Sequence, residues 1–511
     1  MGGTAQRFLD AGYAQPKPLI DVDGRPMLAH LLADLAGCEK LICGVHAGHL
    51  QTTKIAQKIL EIRPDAQIVP VQPHKDGPVR TLLDCAHVFD RDLPLLLHYA
   101  DFATGWNFDA FRHKCEREQW DAALDAYSGN FPHLAGPTLY AGIRADGDRV
   151  LEIREKHCFA GKMQDGWHSA GSYWVKRAGD LLDAAQAMVK ENQRVAGEFF
   201  VSTALGRLVE QGAKTGLFPL EFFHQWGTPE DLRTWQMWHR GLEKLDQQIA
   251  QVQKQQTRST QLMLMAGRGQ RFVQNGEQTP KPFVPVAGEA MVAQALKLLA
   301  KPQNRLIVLR AEDKARLETL DLQAQTLELH EVTQGQAITA DLGLAHLPEH
   351  APVLVTPCDA GHVFDQQKWA ELEARDDVDL VIFTAKWHQP ALWKPQSYGW
   401  ALVQPDGQVN EISVKKPVAD VPLQQQQVIT GQFWTTDAAK LRAAIADLQQ
   451  ADERVNGEFY LDSVARRLVA QGQRVWAMPV ELWMSWGTPQ EVADFHYWNQ
   501  LFRGGRPPGA R

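Results

Sequence analysis

The stretch QLMLMAGRGQRF, residues 261–272, decides the reading of this chain. An unbroken apolar run leads into Gly267-Arg268-Gly269-Gln270-Arg271-Phe272, which reads as a strand feeding a glycine turn that opens a helix. Glycines there let backbone N–H groups approach a polyphosphate, and an arginine can neutralise it. A lone Gly-x-Gly-x-Arg is more often an ordinary turn, and no third glycine completes a dinucleotide-binding fingerprint. Recurrence changes the weighing. The opening MGGTAQRF, residues 1–8, repeats the pattern of MAGRGQRF at 265–272, and in both places a Pro-Lys-Pro triplet puts its lysine, Lys17 or Lys281, ten residues after the arginine.

The repetition continues in order along the chain. YADF around Asp101 matches PCDA around Asp359, and EIREKHC around Lys156 matches EISVKKP around Lys415. AGEFFVSTALGRLVEQG at 196–212 matches NGEFYLDSVARRLVAQG at 456–472, and WGTPEDL at 226–232 matches WGTPQEV at 486–492. The expected organisation is therefore two domains of one kind, 1–243 and 260–503, joined by a Gln-rich linker helix at 244–259 and followed by a Gly/Pro/Arg-rich flexible tail at 504–511. Short apolar runs such as KLICGV, AQIVPV and LPLLLHYA alternate with segments of helical period such as MLAHLLADL and DLLDAAQAMVKE. That alternation predicts an α/β fold, two tandem Rossmann-like domains, each a mostly parallel sheet flanked by helices. In the first copy the glycine loop starts at Met1 with no strand before it, so either the true start lies upstream or this domain lacks a sheet strand.

Composition narrows the class. The 511 residues suit two domains of about 250 residues, and 44% hydrophobic with 22% charged residues is a globular mixture. A net charge of −8 argues against a nucleic-acid binder, which needs a positive surface. The six cysteines lie at irregular spacings without a C-x-x-C pair, so they read as buried thiols of a reducing compartment. No segment has the length and apolarity of a membrane span or a signal peptide, and a cytoplasmic location follows as the expectation. Oligomerisation is left open.

The chemistry-bearing residues can be weighed one by one. A lysine held between prolines is a cation on a stiff extended segment, against the bland reading of a solvated loop lysine. Asp101 and Asp359 each follow an apolar run and so stand at a strand end, placed to hold magnesium; the bland reading is a turn or helix cap. Sixteen tryptophans stand out in the composition, but Trp235 and Trp238 fall at helical spacing and read as core.

Together these elements resemble the nucleoside-diphosphate-sugar pyrophosphorylase family, the sugar-phosphate nucleotidyltransferases, over nearly the whole chain and twice. Carriers of the resemblance are MAGRGQRF with PKP, GQAITADL at 335–342, CD at 358–359, the positions around 155–156 and 414–415, GEF at 197–199 and 457–459, and the GTP tripeptides. The resemblance implies an Mg²⁺-dependent transfer of a nucleotidyl group from a nucleoside triphosphate to a phosphorylated sugar or polyol, with release of pyrophosphate. It implies catalytic roles for Arg271, Lys281, Arg7 and Lys17, nucleotide binding by Gly267, Gly269, Gln336, Gly2 and Gly3, and metal binding by Asp359 and Asp101. Lys415, Lys156, Glu155, Glu198 and Glu458 would hold the acceptor. Polysaccharide biosynthesis is the pathway class this family suggests.

Departures leave alternatives standing. Ala5 replaces Gly269 in the first copy, and GPVRTLL at 77–83 replaces GQAITADL, so its nucleotide end looks weakened. Val414 replaces Glu155 in the second, so its acceptor end looks altered. The second metal-binding aspartate of many family members falls here on Gln225 and Ser485, which leaves that ligand unassigned. One or both copies could accordingly be sensing or scaffolding modules. A nucleotide-sugar-using glycosyltransferase is a third reading, but neither Asp101-Phe102-Ala103 nor Asp359-Ala360-Gly361 gives the D-x-D triplet it would carry.

Overall fold

A computed structural model describes residues 1–3, 5–105, 107–136 and 140–504. The tail at 505–511 lies outside the described residues. The chain divides into two compact units, one made of Met1–Gln236 with the residues from Leu501 onward, the other of Met237–Gln500. Both are mixed α/β.

In the second unit the predicted strand Thr260–Met265 is buried along its whole length and lies at the centre of a nine-stranded sheet. It runs parallel to Arg305–Arg310 on one side and Val353–Pro357 on the other. Beyond Arg305–Arg310 comes Gln325–Leu329, and beyond Val353–Pro357 come Gln427–Thr435, Leu380–Ala385 and Val475–Val480. Gln427–Thr435 is antiparallel to both neighbours, and the hairpin Gly399–Val403/Val409–Ser413 pairs with it. Helices Gln336–Leu344, Ala438–Gln450 and Leu461–Ala470 contribute Ala340, Leu344, Leu441, Ile445, Leu448 and Val464 to one continuous core with Leu262, Val308, Val355 and Ile382.

The first unit has the same pairings on one side. Leu95–His98, Trp167–Val175, Ala122–Tyr127 and Thr215–Pro219 lie side by side, with Trp167–Val175 antiparallel to its neighbours and the last two strands parallel. Its other side is detached. Ile42–His46 and Gln67–Val71 are parallel to each other but form a separate two-stranded sheet. Among the described residues no strand occupies the place that Thr260–Met265 takes in the second unit. Accordingly Cys43, Val45, Ile55 and Ile59 form a core separate from that around Leu124, Leu181 and Leu205.

Two further details differ from the sequence reading. The helix expected at 244–259 begins at Pro229 and ends at Val252, and a short strand, Gln256–Thr257, follows. Thr228 and Asp231 supply its start, with Asp231 N–H donating to Thr228 Oγ1 and Thr228 N–H donating to Asp231 Oδ2, a reciprocal cap that fixes the first turn. The thiols are all free, but Cys38 and Cys158 are only partly buried. No helix among the described residues is long and apolar enough to cross a membrane.

One backbone device recurs. Gly77 and Gly335 precede the helices Pro78–Asp84 and Gln336–Leu344 at φ 91° and 129°. The GEF segments close on them: Phe199 and Phe459 N–H donate to Asp76 and Gln334 O, while Val79 and Ala337 N–H donate to Phe199 and Phe459 O. A Cβ on Gly335 would lie 2.5 Å from Phe459 O. Gly335→Ala is therefore expected to destabilise the second unit by about 2–4 kcal/mol, strain and collision adding. Urea unfolding would show a lower midpoint at unchanged slope; an unmoved midpoint would mean that the clamp relaxes freely.

Candidate active site

The site in the second unit grows from the turn after Thr260–Met265. Gly269 caps the helix Gln270–Gln274 in the left-handed conformation, φ 60°, and a Cβ on it would come within 2.8 Å of Lys281 Cβ. Glycine at this position lets the loop close over the lysine. In the first unit Ala5 takes the same left-handed conformation, φ 49°, at a cost of roughly 1–2 kcal/mol for a residue with a Cβ.

Lys281 sits between Pro280 and Pro282 in a single 3₁₀ turn, Lys281–Phe283, and its Nζ forms an ion pair with Asp359. The two side chains are 20% and 24% exposed, so the pair is shielded but reachable. Burial alone would lower the pKa of the ammonium; Asp359, with Cys358 and Glu491 nearby, raises it. Asp359 stands between Val353–Pro357 and Ala360–Val363, at the carboxyl end of a central strand where α/β sheets collect ligands. In the first unit Lys17 Nζ lies 2.8 Å from Asp101 Oδ2 and donates to Gly227 O at 3.1 Å.

A second carboxylate meets Asp359. Glu491, in the first turn of Pro489–Arg503, accepts from Ser485 Oγ at 2.8 Å. Asp359 Oδ2 and Glu491 Oε2 both lie 3.3 Å from the point where a Cβ on Gly487 would sit. Burial raises the pKa of Glu491, Ser485 and Thr488 oppose this, and Asp359 raises it further. Two carboxylates against one lysine leave excess negative charge in a small volume. That donor set fits a hard divalent cation, which takes one or two protein carboxylates and completes its shell with water and phosphate oxygens. In the first unit the matching Asp231 accepts from Gln225 Nε2 at 2.6 Å and from Thr228 N–H and Oγ1. Gln225 also accepts from Tyr140 Oη, so the equivalent place is closed by a hydrogen-bonded chain.

Lys415 follows the strand Val409–Ser413 in the left-handed conformation, φ 56°, as Lys156 does after Arg149–Arg154 at φ 52°. Such a conformation in a residue with a Cβ is strained and marks a place where the side chain must point in one direction. Lys415 Nζ donates to Ser397 O at 2.7 Å and lies 5.0 Å from the centre of the Tyr460 ring. Its pKa is lowered by burial and by Arg271, with Asp462 and Glu458 opposing. Arg271 and Glu491 both also act on the Tyr398 hydroxyl. The glycine-loop arginine, the late lysine and the carboxylate cluster therefore face one region. Lys156 is exposed, 5.2 Å from the Phe200 ring, and Arg7 is exposed on Gln6–Asp10.

The remaining sequence candidates are scattered in role. Gly267 is exposed in the loop, and Gln336 is partly exposed at the start of its helix. Gly2 is buried, with Thr81 Oγ1 2.6 Å from where its Cβ would be, while Gly3 is exposed. Glu198 and Glu458 are exposed, and their GEF segments act through the phenylalanine backbone described above. Sequence reading missed Glu491, Asp462, Arg268 and Arg310. The two arginines line a recess of about 630 Å³ beside the glycine loop, with Glu312, His330 and Val332.

Residues 262–410, within the second unit, match the MobA-like NTP transferase domain. A comparison with curated protein sequences returns no match. Solved structures similar to part of this chain include the nucleoside-diphosphate-sugar pyrophosphorylase from Vibrio cholerae RC9, with 20% identity, 46% of this chain and 98% of that one covered, and a TM-score of 0.36. The inositol-1-phosphate CTP transferase from T. maritima has 16% identity, 48% and 99% coverage and a TM-score of 0.38. A UDP-glucose pyrophosphorylase in complex with UDP-glucose has 14% identity, 48% and 100% coverage and a TM-score of 0.39.

Proposed function

We propose that the second unit joins a nucleoside triphosphate to a phosphorylated sugar or polyol: an acceptor phosphate oxygen attacks the α-phosphorus, the bond to the β-phosphate oxygen breaks, and pyrophosphate leaves. The observation that carries this reading is the meeting of Lys281, Arg271 and Lys415 with Asp359 and Glu491 at the carboxyl end of a central strand. An acceptor that is already a phosphate needs no strong general base; it needs charge neutralisation and in-line placement. Lys281 and Arg271 supply positive charge to the transferring group, and Arg268 and Arg310 add charge along the triphosphate's approach. Lys415 anchors the acceptor's phosphate. Magnesium, held by Asp359 and Glu491, would neutralise the phosphate oxygens that gain charge as pyrophosphate departs. We infer further that the first unit is a second copy of the domain, from the ordered motif repeats and the shared turns at Gly77/Gly335 and Lys156/Lys415. Its tied-up Asp231 supports a role other than turnover. The free thiols support a reducing, cytoplasmic setting.

The test is the reverse reaction. Purified protein with Mg²⁺, pyrophosphate and pooled UDP-, CDP-, GDP-, ADP- and dTDP-sugars is expected to release one nucleoside triphosphate, detected by mass, and to stop when EDTA is added. Folded protein that releases none, and that binds neither nucleotide nor sugar phosphate in calorimetry, would end this reading.

A further inference from the structure

Three positions change together between the two units. In the first, Glu155 follows its strand just before Lys156, and Ser202, in the helix Val201–Glu210, donates its hydroxyl to that carboxylate. In the second, the residue just before Lys415 is Val414, which is buried, and the helix residue four after the GEF glutamate is Asp462 instead of serine. The third position opens each hairpin. Strand register pairs Gly142 with Arg154 and Trp400 with Ser413, which places Ala141 opposite Gly399 in the comparison. Asp462 Oδ2 lies 2.1 Å from where a Cβ on Gly399 would be. Where the helix carries the carboxylate, the strand has lost its own and the hairpin has given up its side chain.

A carboxylate has thus moved from strand to helix without leaving the neighbourhood of the lysine. Lys415 pulls on the Asp462 carboxyl as Lys156 pulls on that of Glu155. Among the described residues no side chain donates a hydrogen bond to Asp462, whereas Glu155 has Ser202. Burial pushes the Asp462 carboxyl up to about 6, against the pull of Lys415. A carboxylate beside a lysine that grips phosphate would repel the phosphate, so its retention needs a donor arriving with the ligand. Hydroxyls of a polyol phosphate are such donors, and a charged acceptor makes the stronger bond.

We propose that Asp462 binds a hydroxyl of the phosphorylated acceptor whose phosphate Lys415 holds, taking over in the second unit the role that the position of Glu155 would otherwise serve. The proposal rests on the function given above and adds a requirement to it: the acceptor carries a hydroxyl within one side-chain length of its phosphate.

The experiment uses the full chain with glucose 1-phosphate, inositol 1-phosphate and ribitol 5-phosphate as acceptors and inorganic phosphate as an inhibitor. Asp462→Asn is expected to raise the acceptor KM about 10- to 100-fold, the range for losing one charge-assisted hydrogen bond, while the KM for nucleoside triphosphate and the inhibition constant of inorganic phosphate stay within about threefold. The triple variant Gly399→Ala, Val414→Glu, Asp462→Ser, which copies the first unit's arrangement, is expected to recover most of the acceptor affinity. An unchanged acceptor KM in Asp462→Asn, or an equal loss for inorganic phosphate, would overturn the assignment by making Asp462 only a support for Lys415. Wild-type protein that turns over none of these acceptors with any triphosphate would instead overturn the function itself, a result visible before any variant is made. Circular dichroism on each variant separates loss of binding from loss of fold.

Discussion

Lys281→Ala is expected to lower turnover about 100- to 1000-fold with little change in unfolding midpoint, the scale seen when one preorganised donor to a developing anion is removed. The lysine is held by Pro280 and Pro282, by the loop closing at Gly269 and by Asp359, so its position is set before substrate arrives. A fixed cation of this kind acts mainly on charge that appears in the transition state, so kcat should fall more than the KM for nucleoside triphosphate rises. Lys17→Ala is the control. Lys17 makes the same ion pair with Asp101, but in a unit whose Asp231 already has three donors. It should change turnover by less than about threefold if catalysis belongs to the second unit alone. Steady-state rates on the two variants read this directly. A large loss in Lys17→Ala with little in Lys281→Ala would reverse the assignment of the units.

The strand-to-glycine-loop element was legible because apolar continuity and glycine chemistry are local properties of QLMLMAGRGQRF. Strand direction was not legible. Trp167–Val175 and Gln427–Thr435 are buried along most of their length, and burial says nothing of whether a strand runs with or against its neighbours. In the first unit's six-stranded sheet this leaves one parallel pair, Ala122–Tyr127 with Thr215–Pro219.

In the site, Lys17, Lys281, Asp101 and Asp359 were each signalled by repetition, though not their pairing, while Glu491 and Asp462 were hidden by their local fit. Glu491 is the third residue after Thr488, where a capping glutamate is ordinary, and Asp462 lies in the first turn of a helix, where an acid suits the dipole. Only the fold shows that one meets Asp359 and the other Lys415. The chain contained a usable clue in its own repeats: Ser202 against Asp462 and Glu155 against Val414 are opposite changes, and opposite changes between copies suggest that the two positions touch.

The second large effect concerns stability and its dependence on pH. Asp125 lies in Ala122–Tyr127, a strand buried at every residue, where its Oδ1 accepts the Ser172 N–H at 2.9 Å and its Oδ2 has no hydrogen-bond partner. Burial pushes its carboxyl from 3.8 up to about 7, with Ser172 opposing. The folded state therefore holds a proton that the unfolded chain has released between those values. Its contribution to stability is fully present below about pH 4 and is lost as pH rises through 7. Asp34, also raised to about 7 by burial, adds a slope of the same sign. Asp125→Asn keeps the accepting oxygen and removes the charge, so it should stabilise the first unit by roughly 2–4 kcal/mol at pH 8 and by much less at pH 5. Denaturant unfolding of both proteins at the two pH values measures the difference; Asp34, which the Asp125 charge also pushes up, loses that push in the variant and adds to the difference with the same sign. Equal shifts at pH 5 and pH 8 would show that Asp125 keeps its charge in the folded protein. The buried strand would then have to supply the missing partner for Oδ2 by moving, because an ionised carboxylate with one donor does not persist in an apolar core.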